Sequence, residues 1–268
     1  MCKKGVAIMK EVDLVQLGRT IPNTSATPII CKASDGEHYY VKFFEGVEGP
    51  RELVNEFIGY KLAKLLKLPI PPAVLIRIPS ESYAYIGENM IQIQPNHFAF
   101  GSKELTKAVS LINEDFFVQC TNKQDLLPII IFDHIIANSD REYNTGNMLF
   151  RFQDKVIYII DHGRIFDVGA LWDALSCKQR KDDIVELKDF SENSLYGKII
   201  RSFHIEEYVQ DCRERFLKVE YQDIKKIFDE IPLTWNCSDE ERSNGAEYLW
   251  NRFVQYNEII DKIRCIKI

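Results

Sequence analysis

Two acidic residues stand in loops that directly follow hydrophobic segments. Asp140 comes just after an apolar run that ends at Ala137, and Asp161 follows a second apolar run 21 residues later. The amides of Asn144 and Asn147 lie between the two acids. In phosphoryl transfer from ATP, one carboxylate orients the attacking hydroxyl, while an amide oxygen and a second carboxylate hold Mg²⁺. The residue types and their spacing therefore predict a phosphoryl-transfer site.

Asp140 is suited to be the catalytic acid or base, because the loop fixes its carboxylate beside a buried helix and exposes it to a cleft. Its neighbour Arg141 could neutralise a phosphate or brace the loop, and we include it with Asp140 and Lys42 in the predicted catalytic set. The competing interpretation is that residues 138–141 only cap a helix and turn the chain, as Asp-rich turns often do. The acid at position 161 favours the catalytic interpretation.

Two strand-like segments, residues 148–152 and 156–160, separate Asn147 from Asp161. They predict a hairpin, and strand pairing would bring Asn147 and Asp161 together at one end of it. Mg²⁺ prefers hard oxygen ligands such as carboxylates, with phosphate and water completing its shell. We therefore predict that Asn147 and Asp161 bind Mg²⁺, with Asn144 as the competing amide.

A lysine and a glutamate form a second candidate pair upstream. Lys42 lies in an otherwise apolar strand segment, residues 39–44, so its ammonium must reach a cleft or an acidic partner. Glu56 follows 14 residues later in a helical segment with apolar and small neighbours. Kinases use such a pair to hold an amine against the α- and β-phosphates of ATP. The alternative is a lysine that extends into water and an exposed glutamate.

The loop at residues 17–28 lies between two strand segments. Its backbone amides and the hydroxyls of residues such as Thr20 and Ser25 could cover the phosphates of a nucleotide. The loop has one glycine, whereas familiar nucleotide-binding loops have three, so a plain solvated loop is an equal alternative.

The elements that must position these residues change character along the chain. Residues 6–102 are β-rich and contain one predicted helix, whereas the rest is mostly helical around a predicted hairpin. The segment 125–137 is apolar nearly all round, which is typical of a helix at the centre of a lobe. We predict an α+β, bilobal, protein-kinase-like fold with an N-lobe at residues 1–98 and a C-lobe at residues 99–268.

The predicted boundary between the lobes falls in residues 94–102. From position alone, we expect this segment to be the hinge that contacts adenine, with His97 and Phe98 in the nucleotide site. Two polar residues, Asp133 and His134, interrupt the apolar helix of the C-lobe. We predict that Asp133 supports the catalytic loop by accepting hydrogen bonds from loop amides, and that His134 is a core residue.

Composition excludes several classes of protein. The 268 residues carry a formal net charge of −6, which argues against broad binding to nucleic acid. The seven cysteines are scattered and odd in number, as expected for free thiols in a reducing cytosol. No run approaches the ~18 apolar residues of a membrane span. We therefore expect a cytoplasmic protein that contacts neither membrane nor nucleic acid.

Three runs of sequence, residues 55–71, 132–141 and 160–163, together resemble the HipA-like kinase family. These bacterial proteins have a protein-kinase-like fold related to the phosphatidylinositol kinases. Residues 230–235 and the helix after them are similar to the compact HipA-like subgroup. The resemblance covers roughly residues 14–263.

The resemblance implies an ATP- and Mg²⁺-dependent kinase with Lys42 on the phosphates, Asp140 as catalytic acid or base, and Asn147 and Asp161 as metal ligands. One departure concerns the metal site. The family's metal-binding Asn usually lies five residues after the catalytic Asp, and Thr145 occupies that position here. An insertion of two residues in this loop would place Asn147 in the family's metal position.

The acceptor expected from the resemblance is a Ser or Thr hydroxyl of a protein, although nothing in this sequence identifies it. A small-molecule or lipid kinase would share the same ATP site, and a catalytically inactive nucleotide-binding module is a further alternative. Members of this family often act as toxins that a DNA-binding partner restrains, so the resemblance also allows for a regulatory partner protein.

Overall fold

The computed structural model describes residues 9–21, 28–46, 49–79, 85–86, 91–92, 97–110 and 113–266. The elements of the N-terminal part are β1 (Glu11–Thr20), β2 (Ile29–Ala33), β3 (His38–Lys42), α1 (Pro50–Leu65), β4 (Ala73–Arg77), β5 (Tyr85–Ile86), β6 (Ile91–Gln92) and β7 (Phe98–Lys103). A β-rich part with one embedded helix is what the sequence predicts for this half.

The strands β1, β2, β3, β7 and β4 close into a barrel in that order. Neighbouring strands are antiparallel, except that β1 and β4 pair in parallel. Alternate residues of β2 and β3 are buried, because successive side chains of a strand point to opposite faces. The turn between these two strands contains Gly36 with a φ of 85°, which suits glycine because it lacks a Cβ.

The strand β7 spans the predicted boundary between the two parts. It pairs with β3 on one side and with β4 on the other, so the barrel cannot close without it. The barrel therefore extends to Lys103, whereas the sequence places the boundary at residue 98, where this strand begins.

The helix α1 begins at Pro50, whose missing N–H costs nothing at a first helical position. Most of its residues are buried, on several faces of the helix. The reason is its location, because α1 contacts the barrel strand β7 as well as helices of the C-terminal part. The Phe57 ring, for example, meets the Trp235 ring edge-on at 5.9 Å.

The C-terminal part is mostly helical and contains a small sheet. Its elements are β8 (Ala108–Val109), α2 (Glu114–Gln119), α3 (Leu126–Ile135), β9 (Met148–Arg151), β10 (Val156–Ile159), α4 (Ala174–Arg180), α5 (Leu195–Arg201), α6 (Glu206–Leu217), α7 (Tyr221–Asp229), α8 (Asp239–Phe253) and α9 (Tyr256–Arg264). All residues of α3 are buried, as its apolar sequence predicts, and β9 and β10 form the predicted antiparallel hairpin. One hydrophobic core joins α1, α3 and the helices that follow.

Membrane-spanning segments and cysteine pairing are the next features of the chain. No helix in the described part of the chain is long and apolar enough to cross a membrane. Cysteines 31, 120, 177, 212, 237 and 265 carry free thiols, and all but Cys265 are buried. Cys2 lies outside the described residues.

Candidate active site

A cavity of about 340 Å³ lies between the barrel and the C-terminal part. Its volume is within the range of small-molecule sites, and its walls combine many apolar side chains with a few charged or amide groups. Among the described residues, the walls are formed by Ile21, Pro28, Tyr40, Lys42, Glu56, Tyr60, Ile70, Pro71, Phe100, Ser102, Lys103, Leu105, Ala108, Ser110, Gly146, Asn147, Leu149, Ile160, Asp161 and His162.

Lys42, the last residue of β3, is the centre of a charge cluster at this cavity. Its Nζ atom lies 2.5 Å from Glu56 Oε1 and 2.9 Å from Asp161 Oδ1, so the pair predicted from the sequence is present. A third carboxylate, that of Glu52, lies at 2.7 Å from the same nitrogen. Sequence reasoning missed Glu52. The spacing in the sequence does indicate this residue, because Glu52 precedes Glu56 by four positions and so lies on the same face of α1.

Burial and the charges of the cluster shift its pKa values in opposite directions. Burial raises the pKa of Glu56 to about 7, with the Asp161 charge adding to the rise and Lys42 opposing it. Burial also opposes the ionisation of Asp161, but the Lys42 ammonium outweighs it and holds the pKa of Asp161 well below its usual range. Although burial acts to lower it, the pKa of Lys42 is raised, since three carboxylates surround the ammonium. Lys42 and Asp161 are therefore an ion pair at neutral pH.

The helix α1 carries Glu56 to the cluster because it packs directly against the segment that follows Asp161. A Cβ placed on Gly59 would lie 2.4 Å from the Cβ of His162, so only glycine permits this approach. Glu56 Oε2 accepts a hydrogen bond from the backbone N–H of His162 at 3.1 Å. One turn before Gly59, the buried amide of Asn55 donates to the carbonyl of Gly163 at 2.6 Å. These contacts fix the distance between Glu56 and Asp161.

Asp140 is oriented by two asparagines. The backbone N–H of Asp140 donates to Asn138 Oδ1 at 3.0 Å, and Asn147 Nδ2 donates to Asp140 Oδ2 at 2.7 Å. The second bond leaves the amide oxygen of Asn147 for another partner. Asn144 is placed differently, because it is exposed and its side-chain oxygen accepts the backbone N–H of Gly146. Asn144 therefore forms a turn, whereas Asn147 joins the catalytic loop to the cavity.

Arg141, predicted as part of the catalytic set, does not line the cavity. The side chain is fully buried, and Nε donates to both carboxylate oxygens of Asp133, at 2.9 and 3.1 Å. The guanidinium also donates to the carbonyls of Asn147 and Ile160 and contacts Nε2 of His162. Of the two roles open to Arg141 from sequence, the geometry fits the brace, because a buried guanidinium with these partners has no route to a phosphate.

The same contacts revise the role of Asp133. The sequence predicts that this buried carboxylate accepts hydrogen bonds from loop amides. Its donors are instead the side chains of Arg141, Asn138 at 3.3 Å and Tyr196 at 3.2 Å. The backbone amides of Asp140 and Arg141 donate to Asn138, which stands between them and Asp133. Asp133 thus supports the loop, as predicted, but through side chains.

The backbone is strained where the catalytic loop meets the segment after Asp161. Ala137, Asp161, Phe166 and Asp167 have φ angles of 50°, 59°, 61° and 71°, in the left-handed region that non-glycine residues rarely adopt. Two backbone hydrogen bonds hold this conformation, from the N–H of Phe166 to Ile136 and from that of Asp167 to Ala137. Such strain persists where surrounding contacts enforce it, often at functional sites.

The predicted hinge segment, residues 94–102, meets the cavity only in part, because Phe100 and Ser102 line it whereas His97 and Phe98 do not. β7 runs antiparallel to β3, and Phe100 is the residue opposite Lys42, so the chain passes His97 and Phe98 before it reaches the cavity. The His97 ring packs on Phe44 at 4.2 Å, and the carbonyl of Phe98 accepts a hydrogen bond from Trp235. The part of β7 that lines the cavity begins at Phe100, inside the predicted hinge segment and two residues after Phe98.

The predicted phosphate-covering loop is only partly described. Thr20 is exposed at the end of β1 and does not line the cavity, whereas Ser25 lies outside the described residues. Ile21 and Pro28, on either side of the loop, are joined by a backbone hydrogen bond of 2.9 Å and do line the cavity. The ends of the loop therefore stand over the cavity.

The donor set at this cavity fits a hard divalent cation. The Asp161 side chain is 36% exposed and lines the cavity, with its Oδ1 against Lys42. The Asn147 amide oxygen is the second candidate ligand. Among the described residues, no group of three or more His, Cys, Asp or Glu side chains is arranged to hold a metal ion. A cation here would thus complete its shell with water and phosphate oxygens, as Mg²⁺ commonly does.

A β-barrel, a helix whose glutamate pairs with a strand lysine, and a helical part that carries an acid-bearing hairpin define a protein-kinase-like fold. The model of the HipA-like kinase family matches residues 14–261, and the chain belongs to this family. The sequence resemblance is thereby confirmed. No curated protein sequence matches the chain.

Solved structures that are similar to this chain share little sequence with it. A proinflammatory kinase of Helicobacter pylori, CtkA, is 14% identical, with a TM-score of 0.58 over 97% of this chain and 100% of that one. The Golgi casein kinase is 12% identical over 97% of this chain and 73% of that one, with a TM-score of 0.43. A second structure of it, with Mn/ADP bound, gives a TM-score of 0.40 at the same identity and coverage.

Proposed function

We propose that this chain is an ATP- and Mg²⁺-dependent kinase that transfers the γ-phosphoryl group to a hydroxyl, with Ser or Thr of a protein as the expected acceptor. The observation that carries the proposal is the convergence on one cavity of Lys42, Asp161 and Asn147, with Asp140 hydrogen-bonded to Asn147. These residues come from separate elements, β3, the end of the β9–β10 hairpin and the loop after α3. A purely structural role would not require them to meet.

Each residue has a defined part in the proposed reaction. Lys42 binds the α- and β-phosphates, and Glu56 keeps its ammonium directed into the cavity. Asn147 and Asp161 hold Mg²⁺, which neutralises charge on the phosphate oxygens when it is bound. Asp140 accepts or orients the proton of the attacking hydroxyl. The Asn147 amide holds one oxygen of Asp140 and leaves the other free for that proton.

The rest of the cavity suits a nucleobase. Ile21, Tyr60, Phe100 and Leu149 supply apolar and aromatic surface to its walls. The Tyr60 and Phe100 rings meet edge-on with centroids 6.2 Å apart, and Phe100 is paired with Lys42 across the two strands. A flat, largely apolar base is the part of ATP that would gain from this surface.

Transfer of labelled γ-phosphate tests the proposal. The wild-type chain is incubated with ATP and either Mg²⁺ or EDTA, beside Asp140→Asn and Asp161→Ala. We expect transfer that needs Mg²⁺, and a loss of roughly 10²-fold or more in Asp140→Asn, since a positioned acid or base contributes about that much. As a matched control, Asp154→Asn removes an acid from the hairpin turn, where it pairs with Arg151, and should leave transfer unchanged.

The same assay separates the remaining alternatives. A wild-type chain that binds ATP but transfers no more phosphate than the two active-site variants would be a nucleotide-binding module without catalysis. To identify the acceptor, the assay is repeated with protein extracts, with small hydroxyl compounds and with lipid vesicles. Label on Ser or Thr residues of protein supports the proposal, whereas label only on a small molecule or lipid contradicts its acceptor.

A further inference from the structure

Lys42 has more acidic partners than a phosphate-binding lysine requires. Its Nζ atom lies 2.5 Å from Glu56, 2.7 Å from Glu52 and 2.9 Å from Asp161. An ammonium has three N–H donors. Lys42 donates to Glu56 and Asp161, and Glu52 lies against the same nitrogen as an ion pair. A phosphate oxygen that approaches Lys42 therefore has to compete with three carboxylates.

The three carboxylates differ in their freedom to leave the ammonium. Glu56 is also held by the backbone N–H of His162, and its side chain is 5% exposed. Asp161 is 36% exposed and faces the cavity, where it can turn toward a cation. Glu52 is 3% exposed and packs on Gly163, where an added Cβ would lie 3.1 Å from Glu52 Oε1. Asp161 is thus the partner most able to release Lys42, and Glu52 is enclosed beside it.

We infer that Glu52 is a positioning residue for Lys42 that competes with nucleotide phosphate for the ammonium, so that the chain binds nucleotide only weakly without a divalent cation. The inference rests on the proposed function. With a cation at Asn147 and Asp161, the Asp161 carboxylate turns away and frees one N–H of Lys42 for phosphate. Without the cation, Glu52 and Asp161 both stay on Lys42, and their excess of negative charge repels the phosphates.

Calorimetric binding of ADP tests this coupling without any need for catalysis. The full chain and the variants Glu52→Gln and Glu52→Ala are titrated with ADP in Mg²⁺ and in EDTA. The glutamine removes the charge but keeps an oxygen that accepts from Lys42, whereas alanine removes both. Removing one charge next to the phosphates should tighten binding in EDTA roughly tenfold for the glutamine variant, and further for alanine. Binding in Mg²⁺ should change less than about threefold for both variants.

A matched control uses a second acid–lysine pair, in which the lysine belongs to α1. Glu230 lies 2.5 Å from Lys61 Nζ, and neither residue lines the cavity. Glu230→Gln should therefore leave the affinity for ADP in EDTA unchanged. Thermal unfolding of each variant sets the temperature at which binding is measured, so that only folded protein is compared.

The wild-type chain offers a test that needs no substitution. If Lys42 is withheld from phosphate, adenosine in EDTA should bind at least as tightly as ADP, and Mg²⁺ should reverse that order. ADP binding tenfold more tightly than adenosine in EDTA would overturn the inference, as would Glu52 variants that bind ADP normally in Mg²⁺ and no better in EDTA. Failure of every form to bind nucleotide in Mg²⁺ would instead remove the proposed function, and the inference with it.

Discussion

Arg141 offers the sharpest test of how the catalytic loop is held. Substitution by methionine keeps most of the side-chain volume but removes every donor. Asp133 would remain buried with only Asn138 and Tyr196 as donors, and the carbonyls of Asn147 and Ile160 would each lose a partner. Removing one member of a buried ion pair costs about 3–5 kcal/mol. Each carbonyl left without its hydrogen bond adds ~1 kcal/mol.

We therefore expect Arg141→Met to lower the free energy of unfolding by about 5–7 kcal/mol, much of the ~5–15 kcal/mol that holds a typical protein folded. Urea unfolding, followed through the fluorescence of the buried Trp172 and Trp235, measures the change. Arg151→Met is the matched control, because Arg151 bonds Asp154 on the surface and should contribute no more than ~1 kcal/mol.

A double substitution separates the ion pair from the other contacts of Arg141. In Arg141→Met combined with Asp133→Leu, no charge is left buried alone, so part of the lost stability should return. The opposite result would refute the reasoning. If Arg141→Met unfolds within ~1 kcal/mol of the wild type and loses only phosphoryl transfer, its guanidinium acts on the phosphates and does not brace the loop.

Three further predictions concern single residues. Gly59→Ala should lower the free energy of unfolding by about 1–3 kcal/mol, measured by thermal unfolding, because its Cβ would meet His162 at 2.4 Å. Burial lowers the pKa of His134 from 6.5 to about 4, so the folded state binds the proton less tightly than the unfolded state does. The contribution of neutral His134 to stability is therefore complete above pH 6.5 and is lost as the pH falls toward 4. The change in the free energy of unfolding between pH 7 and 5, measured in urea, should therefore differ by roughly 2 kcal/mol between the wild type and His134→Gln, with the wild type losing more, and equal changes in the two would contradict the assignment. Asn147→Ala should raise the Mg²⁺ concentration needed for half-maximal transfer at least tenfold and Asn144→Ala less than threefold, and the reverse order would assign the metal to the turn residue.

The sequence predicts the fold closely because the deciding patterns are local. The apolar run of α3, the alternating residues of β2 and β3, and the strand–turn–strand pattern of the hairpin each encode an element within a dozen residues or so. The pairing of Lys42 with Glu56 was also accessible, since each residue is a charge in an apolar element and needs a partner.

The residues that lie elsewhere than predicted are those whose place was inferred from position along the chain. His97 and Phe98 lie near the change in composition, which predicts a hinge there, but strand register decides which residues of β7 face the cavity. Arg141 stands beside the catalytic acid in sequence, and its side chain points away from the cavity into the core. Neither direction follows from spacing alone, because both depend on elements distant in the chain.

The sequence by itself determined which residues are candidates for the chemistry, since the acids, the amide and the lysine can be identified from residue type and local context. Only the tertiary structure decided how they are held. Arg252, far along the chain, donates to the carbonyls of His134 and Ile135 at the end of α3, and Glu52 joins Lys42 only because α1 packs against the end of β3. The physical reason is that local patterns encode the elements, whereas the cavity is formed by packing between elements that are far apart in the sequence.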